Sequence, residues 1–338
     1  MPEARHPGRN PSSPFNNQGR SPVKPLEILS ALVVSASAFT LAPHAPAFAV
    51  EQQKADLVNR TKLRVCSDPA DLPFSNEKAE GFENKIADIL ADELKIPVEY
   101  TWFPKSQGFI RQTLSAKRCD VVIGWGQGDE LVLNTNAIYR STSAIIYKKG
   151  GPLDGVTSLA DEKLKGKTIG AVQNSAGANL AAKYGLMANV HGYPLNVDRR
   201  YFNPTEEMIK DLKAGTIEFG VQWGPIAAYW AKKLGGDDVV VVPITKDTAG
   251  VKTAFRITLG VRPGDDAWKR QLNQIIAKRQ PDIDKVLLDY GIPVLVDDDT
   301  SMELVTSPRP ASTAQAEAPP AAPDPEKAAR PYVPVPNQ

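Results

Sequence analysis

Histidine and cysteine are nearly missing from this sequence, at three and two among 338 residues. His6 and His44 fall in an N-terminal stretch that reads as an export signal, which leaves His191 alone in the remainder, where it reads as a surface loop residue. One histidine supplies no Ser–His–Asp set and, with two cysteines at unrelated spacing, no metal cluster. Neither Cys66 nor Cys119 has a histidine near it in sequence, so neither reads as a catalytic thiol. An excess of either charge is missing too. Forty basic residues oppose 39 acidic ones, a formal net charge of +1, so there is no electrostatic footprint for nucleic acid. Long apolar runs are absent: the block from Ile28 to Ala42 is shorter than the ~20 residues that span a bilayer. No nucleotide loop is present either. Gly124-Trp125-Gly126-Gln127-Gly128 follows a predicted strand, but it lacks the Gly-x-Gly-x-x-Gly spacing and the Lys-Ser/Thr ending. No catalytic set, metal site or cofactor is predicted.

What is present is an ordinary globular composition, 42% hydrophobic and 23% charged, on a chain long enough for two domains. A basic leader with Arg5, Arg9, Arg20 and Lys24 precedes the apolar block, and Ala47-Phe48-Ala49 resembles a cleavage site. That order predicts a signal peptide over residues 1–49, against the alternative of an uncleaved anchor. Beyond residue 298 the composition turns to proline, alanine and charge. Residues 299–338 are therefore expected to form a disordered tail.

The stretch from Leu63 to Gly128 organises the rest. Leu63 to Asp68 reads as a strand stopped by Pro69. Ile86, Ile89, Leu90 and Leu94 then recur at helical spacing, and Val98 to Phe103 reads as a second strand. A short helix with Phe109, Ile110, Thr113 and Leu114 inward leads to a third strand, Val121 to Ile123. Strand, helix, strand, helix, strand implies a parallel sheet with its ligand crevice at the carboxyl ends of the strands. The later pattern repeats this plan. It has strands at Thr168 to Val172, Asp198 to Tyr201, Glu218 to Trp223 and Val239 to Pro243. A helix is capped by Thr205, another runs from Pro225 to Leu234, and two closing helices are split by Pro281. The strand register sets Cys66 and Cys119 about four residues, or roughly 13 Å, out of step. A bridge needs Cα atoms within about 7 Å, so two buried thiols are favoured over a disulfide.

Leu63-Arg64-Val65, Asp68 with Leu72-Pro73-Phe74, Gly81-Phe82-Glu83 and Cys119-Asp120-Val121-Val122 resemble the bilobal periplasmic solute-binding proteins of type II, which include amino-acid receptors. The fuller wording Leu72-Pro73-Phe74-Ser75-Asn76, Gly81 to Ile86 and Arg118 to Val122 is similar to a narrower branch. Its members accompany quinoprotein methanol dehydrogenases. The resemblance covers about Leu57 to Val296. It implies an α/β fold of two lobes, each a mainly parallel sheet flanked by helices, with a cleft between them. Lobe I would comprise residues 50–150 and 252–298 and lobe II residues 151–251, with crossings near Lys148 to Leu153 and Ile244 to Ala254.

Against the amino-acid receptors the sequence departs at both charged anchors. Gly128-Asp129-Glu130-Leu131 stands where the receptors carry the carboxylate-binding arginine, and Trp223 stands where they carry an amine-binding aspartate. An acidic pair repels a carboxylate. Aromatic residues replace the anchors, so the candidate cleft residues are Asp68, Phe74, Phe103, Trp125, Gly126, Gln127, Asp129, Tyr139, Arg140, Trp223 and Tyr229. Asn174 and Ser175 join them. They open a helix whose free N–H groups either hold an anion or carbonyl oxygen or are simply capped by these side chains. Lys105 reads as a rim charge, and Arg199 and Arg200 as a solvated face. The branch likeness implies a periplasmic accessory of a quinoprotein methanol dehydrogenase and its cytochrome c, acting by protein contact and not catalysis. The rival is a solute receptor delivering a neutral or aromatic small molecule to an ABC permease. A dehydratase-like enzyme lacks a visible acid–base set.

Overall fold

The computed structural model describes residues 57–246, 250 and 252–312. The signal peptide expected over residues 1–49 and the part of the expected tail beyond residue 312 lie outside the described residues. The chain opens with β1 (Leu63–Ser67), a small hairpin of β2 (Ala70–Asp71) and β3 (Ser75–Asn76), and α1 (Phe82–Leu94). There follow β4 (Val98–Trp102), α2 (Phe109–Gln112), β5 (Val121–Gly126) and β6 (Leu133–Lys148). The second half adds β7 (Ile169–Val172), α3 (Ala176–Lys183), β8 (Val190–Tyr193), α4 (Pro204–Ala214), β9 (Phe219–Trp223) and α5 (Gly224–Trp230). It ends with β10 (Val239–Pro243), β11 (Ala254–Val261) and α6 (Asp266–Asp289).

The long strand β6 joins the lobes. Its first part, up to Thr142, pairs antiparallel with β11, which in turn flanks β5, β1 and β4 in lobe I. From Ser143 onward its partners are β9 and β10, and β9 leads to β7 and β8 in lobe II. The expected first crossing near Lys148 to Leu153 therefore falls at Thr142–Ser143, inside a continuous strand. The chain returns from β10, paired with the lobe II part of β6, to β11, paired with its lobe I part, between Pro243 and Ala254. The Thr142 hydroxyl, within reach of the Ile244 (3.0 Å) and Thr253 (3.2 Å) carbonyls, ties the two crossings together. β1 is parallel to both β4 and β5, and β7 to both β8 and β9.

The apolar spacing does what it predicts. Ile86 and Leu90 of α1 are fully buried with Leu63, Val65, Val121 and Ile123, while Ile89 and Leu94 pack at the margin. The Gly81-Phe82 pair has a packing reason. A Cβ on Gly81 would sit 2.0 Å from the Phe74 carbonyl oxygen, whereas Phe82 fills the core against Phe74 and Tyr139.

Several expectations fail for identifiable reasons. Cys66 and Cys119 form a disulfide, with Cα atoms 5.5 Å apart. The rise per residue used to separate them holds only inside a strand. Cys119 lies in the loop before β5, held beside β1 and β4 by the Asp120 N–H on the Arg64 carbonyl (2.8 Å) and the Thr101 hydroxyl on the Arg118 carbonyl (2.8 Å). The two helices split by Pro281 are one helix, α6. A proline at 281 leaves the Ala277 carbonyl without its usual donor. The Ser312 N–H donates to that carbonyl at 3.0 Å. The donor lies in what composition reads as disordered tail. Residues 299–312 are instead fastened to lobe I: Val305 N–H bonds the Val294 carbonyl and Arg309 grips buried Asp284 through two oxygens. Asp198 to Tyr201 is a turn, with the Tyr201 and Phe202 N–H groups both on the Asp198 carbonyl. The edge strand is β8, which carries exposed His191 and so shows no alternating pattern. Asn203, not Thr205, caps α4. Helix α5 stops at Trp230 and a wider turn, Ala231–Gly235, continues it.

Candidate functional site

The cleft forms where the β1–β4 end of lobe I faces the 194–203 loop of lobe II. A recess of about 490 Å³ opens between the β2–β3 hairpin on one side and Arg199, Arg200, Asn203 and Trp230 on the other. A smaller recess lies between Asp68 with Pro104 to Ser106 and Val197 to Arg200. Buried charges gather between them. Both Asp68 carboxylate oxygens are used to fold the loop, accepting from the backbone N–H of Ala70 (2.8 Å) and of Lys105 (2.6 Å). Lys105 turns its ammonium inward to Glu83 (2.8 Å) and the Ile123 carbonyl (3.3 Å), over the ring of Phe74. Asp71 meets Arg199 of lobe II at 3.2 Å.

Burial sets the protonation of this group. Glu83 is 2% exposed, and its removal from water pushes its pKa up to about 7, against the pull of Lys105. Asp71 is also pushed above the ordinary carboxylate range, first by burial and then by neighbouring Asp68, while Arg199 and Lys105 pull it back. Glu83 Oε1 has no partner among the described residues and lies where a side chain on Gly124 would have to be. Gly124 also has φ +75°, so glycine is required there twice over.

Of the predicted cleft residues, Asp68 lines the smaller recess, and none of the others borders either recess. Tyr139 and Arg140 are corrections. They sit next to each other on β6 with one side chain on each face, and both faces are covered. Tyr139 is in the lobe I core, and the Arg140 guanidinium donates to the Val296 (3.1 Å) and Ser301 (2.6 Å) carbonyls. Trp125 is half-buried, stacked on Phe109, with its indole N–H on Asp129 (3.1 Å). Asp129 also accepts from Leu131 N–H, so it shapes the loop. Gly126 and Gln127 are exposed, and Asn134 holds their turn through the Gly126 carbonyl and the Gly128 N–H. Phe103 packs beside Phe109. Trp223 meets Phe255 at the crossings, and Tyr229 stacks on Tyr290 across the lobes. At α3 the capping half of the reading holds: Ser175 accepts from Ala178 N–H (3.1 Å), while Asn174 is exposed with φ 57°.

Sequence reasoning missed Asp71, Glu83, Lys105 and Arg199 as a group. Glu83 lies within a quoted motif and Asp71 directly precedes another, while Lys105 follows the predicted strand that ends at Phe103. The signal was there in the cluster of acids at strand ends. Arg199 gave none, because only the fold brings its loop to lobe I.

Residues 63–290 match the model of the bacterial extracellular solute-binding proteins, family 3. The chain belongs to that family. The solved periplasmic binding protein XoxJ from Methylobacterium extorquens AM1 is 36% identical with a TM-score of 0.59, covering 70% of this chain and 100% of that one. MxaJ from Methlophaga aminisulfidivorans MPT is 27% identical with the same TM-score, 0.59, covering 69% of this chain and 100% of its own. The curated Protein MoxJ of Methylorubrum extorquens is 27% identical over 247 residues, 69% of this chain and 81% of that protein. These relatives bear out the narrower branch that the sequence resembles. An ancestral cationic amino-acid solute-binding protein, 23% identical with a TM-score of 0.55, shares the fold alone.

Proposed function

We propose that this chain is a periplasmic, non-catalytic accessory factor of a quinoprotein methanol or alcohol dehydrogenase system. It would contact the dehydrogenase, or its cytochrome c, in or near the inter-lobe cleft. The observation that carries this reading is the internal matching of cleft charge. Glu83 is paired with Lys105, Asp71 with Arg199, and Asp68 with two backbone N–H groups. An α-amino acid needs one cationic and one anionic anchor free to receive it. Here the acids are spoken for by the chain's own groups, and in sequence Asp129 falls where the receptors carry their arginine. The likeness to XoxJ and MxaJ supports the same direction.

The second reading, a receptor for a neutral or aromatic solute, draws on the recess of about 490 Å³ beside Trp230. That volume is in the range of small-molecule sites. A pull-down of the mature protein from periplasm, followed by mass spectrometry, separates the two. The dehydrogenase or its cytochrome should come with it. Recovery of a permease complex without either would contradict the proposal and favour the receptor.

A further inference from the structure

Arg199 and Arg200 are adjacent and do opposite things. Arg200 points outward, 55% exposed, and pairs within its own turn with Asp198 at 2.6 Å. Arg199 points across the cleft to Asp71, which is 8% exposed, and is itself only 24% exposed. The turn is stiffened from both ends. Asp198 takes the N–H of Arg200 on its side chain and those of Tyr201 and Phe202 on its carbonyl, and Asn203 caps α4 immediately afterwards. Arg199 is therefore held in position by bonds that do not involve lobe I.

We propose that Arg199 is an internal latch: from lobe II it bonds Asp71 of lobe I and holds the lobes closed with the chain's own charges. In a solute receptor the bound molecule bridges the lobes, and a closed state is selected by its differential contacts. Here the bridging cation is tethered to the chain, so closure does not wait for a solute. Two other contacts join the lobes, Tyr229 stacked on Tyr290 and the Lys232 ammonium on the Asp289 carbonyl. Arg199 with Asp71 adds an ion pair between opposite charges, beside the recess that Trp230 also lines. Asp71 is further held by the fold of its hairpin, where Asp71 pairs with Ser75.

The test measures the distance between spin labels at Ala116→Cys in lobe I and Lys183→Cys in lobe II, both exposed, with the native disulfide intact and no partner present. Arg199→Gln should lower the closed-to-open ratio by about tenfold or more, the scale of breaking a largely buried ion pair. Arg199→Lys should keep most of the closed population, and Arg200→Gln should leave the distribution as it is. Cooperative melting of each variant confirms that the lobes themselves are folded. An unchanged distribution in Arg199→Gln would overturn the latch, as would an equal opening in Arg200→Gln. Because no partner is present, this result is independent of the accessory role and either can fail alone.

Discussion

The two lobes share a plan and are held together differently. Lobe I buries its charges: Asp120 accepts from both Arg64 and Arg262, Glu83 pairs with Lys105, and Asp284 is gripped by Arg309. It also carries the disulfide and the 299–312 strap. Lobe II packs apolar residues on both sides of its sheet, and its ion pairs, such as Lys167 with Glu218, lie in solvent. The difference teaches where each lobe is vulnerable. A buried ion is held by its partner and is costly alone, whereas an exposed pair contributes little. Lobe I should therefore respond to charge, pH and redox state, and lobe II to loss of apolar volume.

The largest break should come at the Cys66–Cys119 bridge. It closes a separation of 53 residues, and reducing it should cost about 4 kcal/mol by the loop-entropy relation. Thiol labelling of unfolded protein should then need a reductant first. Asp120→Ala removes the buried carboxylate shared by Arg64 and Arg262, leaving Arg262 its Asp265 pair and the Cys119 carbonyl, and should cost about 3 kcal/mol in urea unfolding.

Glu83 gives a pH signature of known sign. Its folded pKa of about 7 lies above the ordinary glutamate value of 4.5, so the folded state holds the proton more tightly. Stability from this group is fully present below about pH 4.5 and is lost as pH rises through about 7. The native protein should lose up to roughly 3 kcal/mol across that window relative to Glu83→Gln. Exposed acids paired with arginine or lysine, such as Glu218, have lowered pKa values and act in the opposite sense, so the difference between the two proteins is the quantity to read. The smallest effect is in lobe II, where Glu218→Gln should change stability by less than about 1 kcal/mol. A larger loss there than at Asp120 would erase the contrast between the lobes.

Much of the fold was legible, because strand and helix periods are local properties of the chain. Ile86 with Leu90 and the strand ending at Trp223 follow from spacing, whereas the return of Ala254–Val261 to lobe I came with the family likeness. What failed depended on partners far away in sequence. Pro281 ends a helix unless another segment satisfies Ala277, and Ser312 does so from a stretch whose composition argues against order. Cys119 is out of register with Cys66 only if strand geometry extends back to it, and it lies outside β5. The site was less legible for the same reason. The aromatics near glycines were visible, yet Trp125 is stacked on Phe109 and Tyr139 is core. The groups that meet in the cleft, Asp71 and Arg199, are separated by most of a lobe.

The most direct test of the accessory role is calorimetric titration of the mature chain with the purified quinoprotein dehydrogenase, beside a panel of α-amino acids. Saturable binding of the dehydrogenase is predicted, with no measurable heat from any amino acid. Tight binding of an amino acid, with none of the dehydrogenase, would contradict the account.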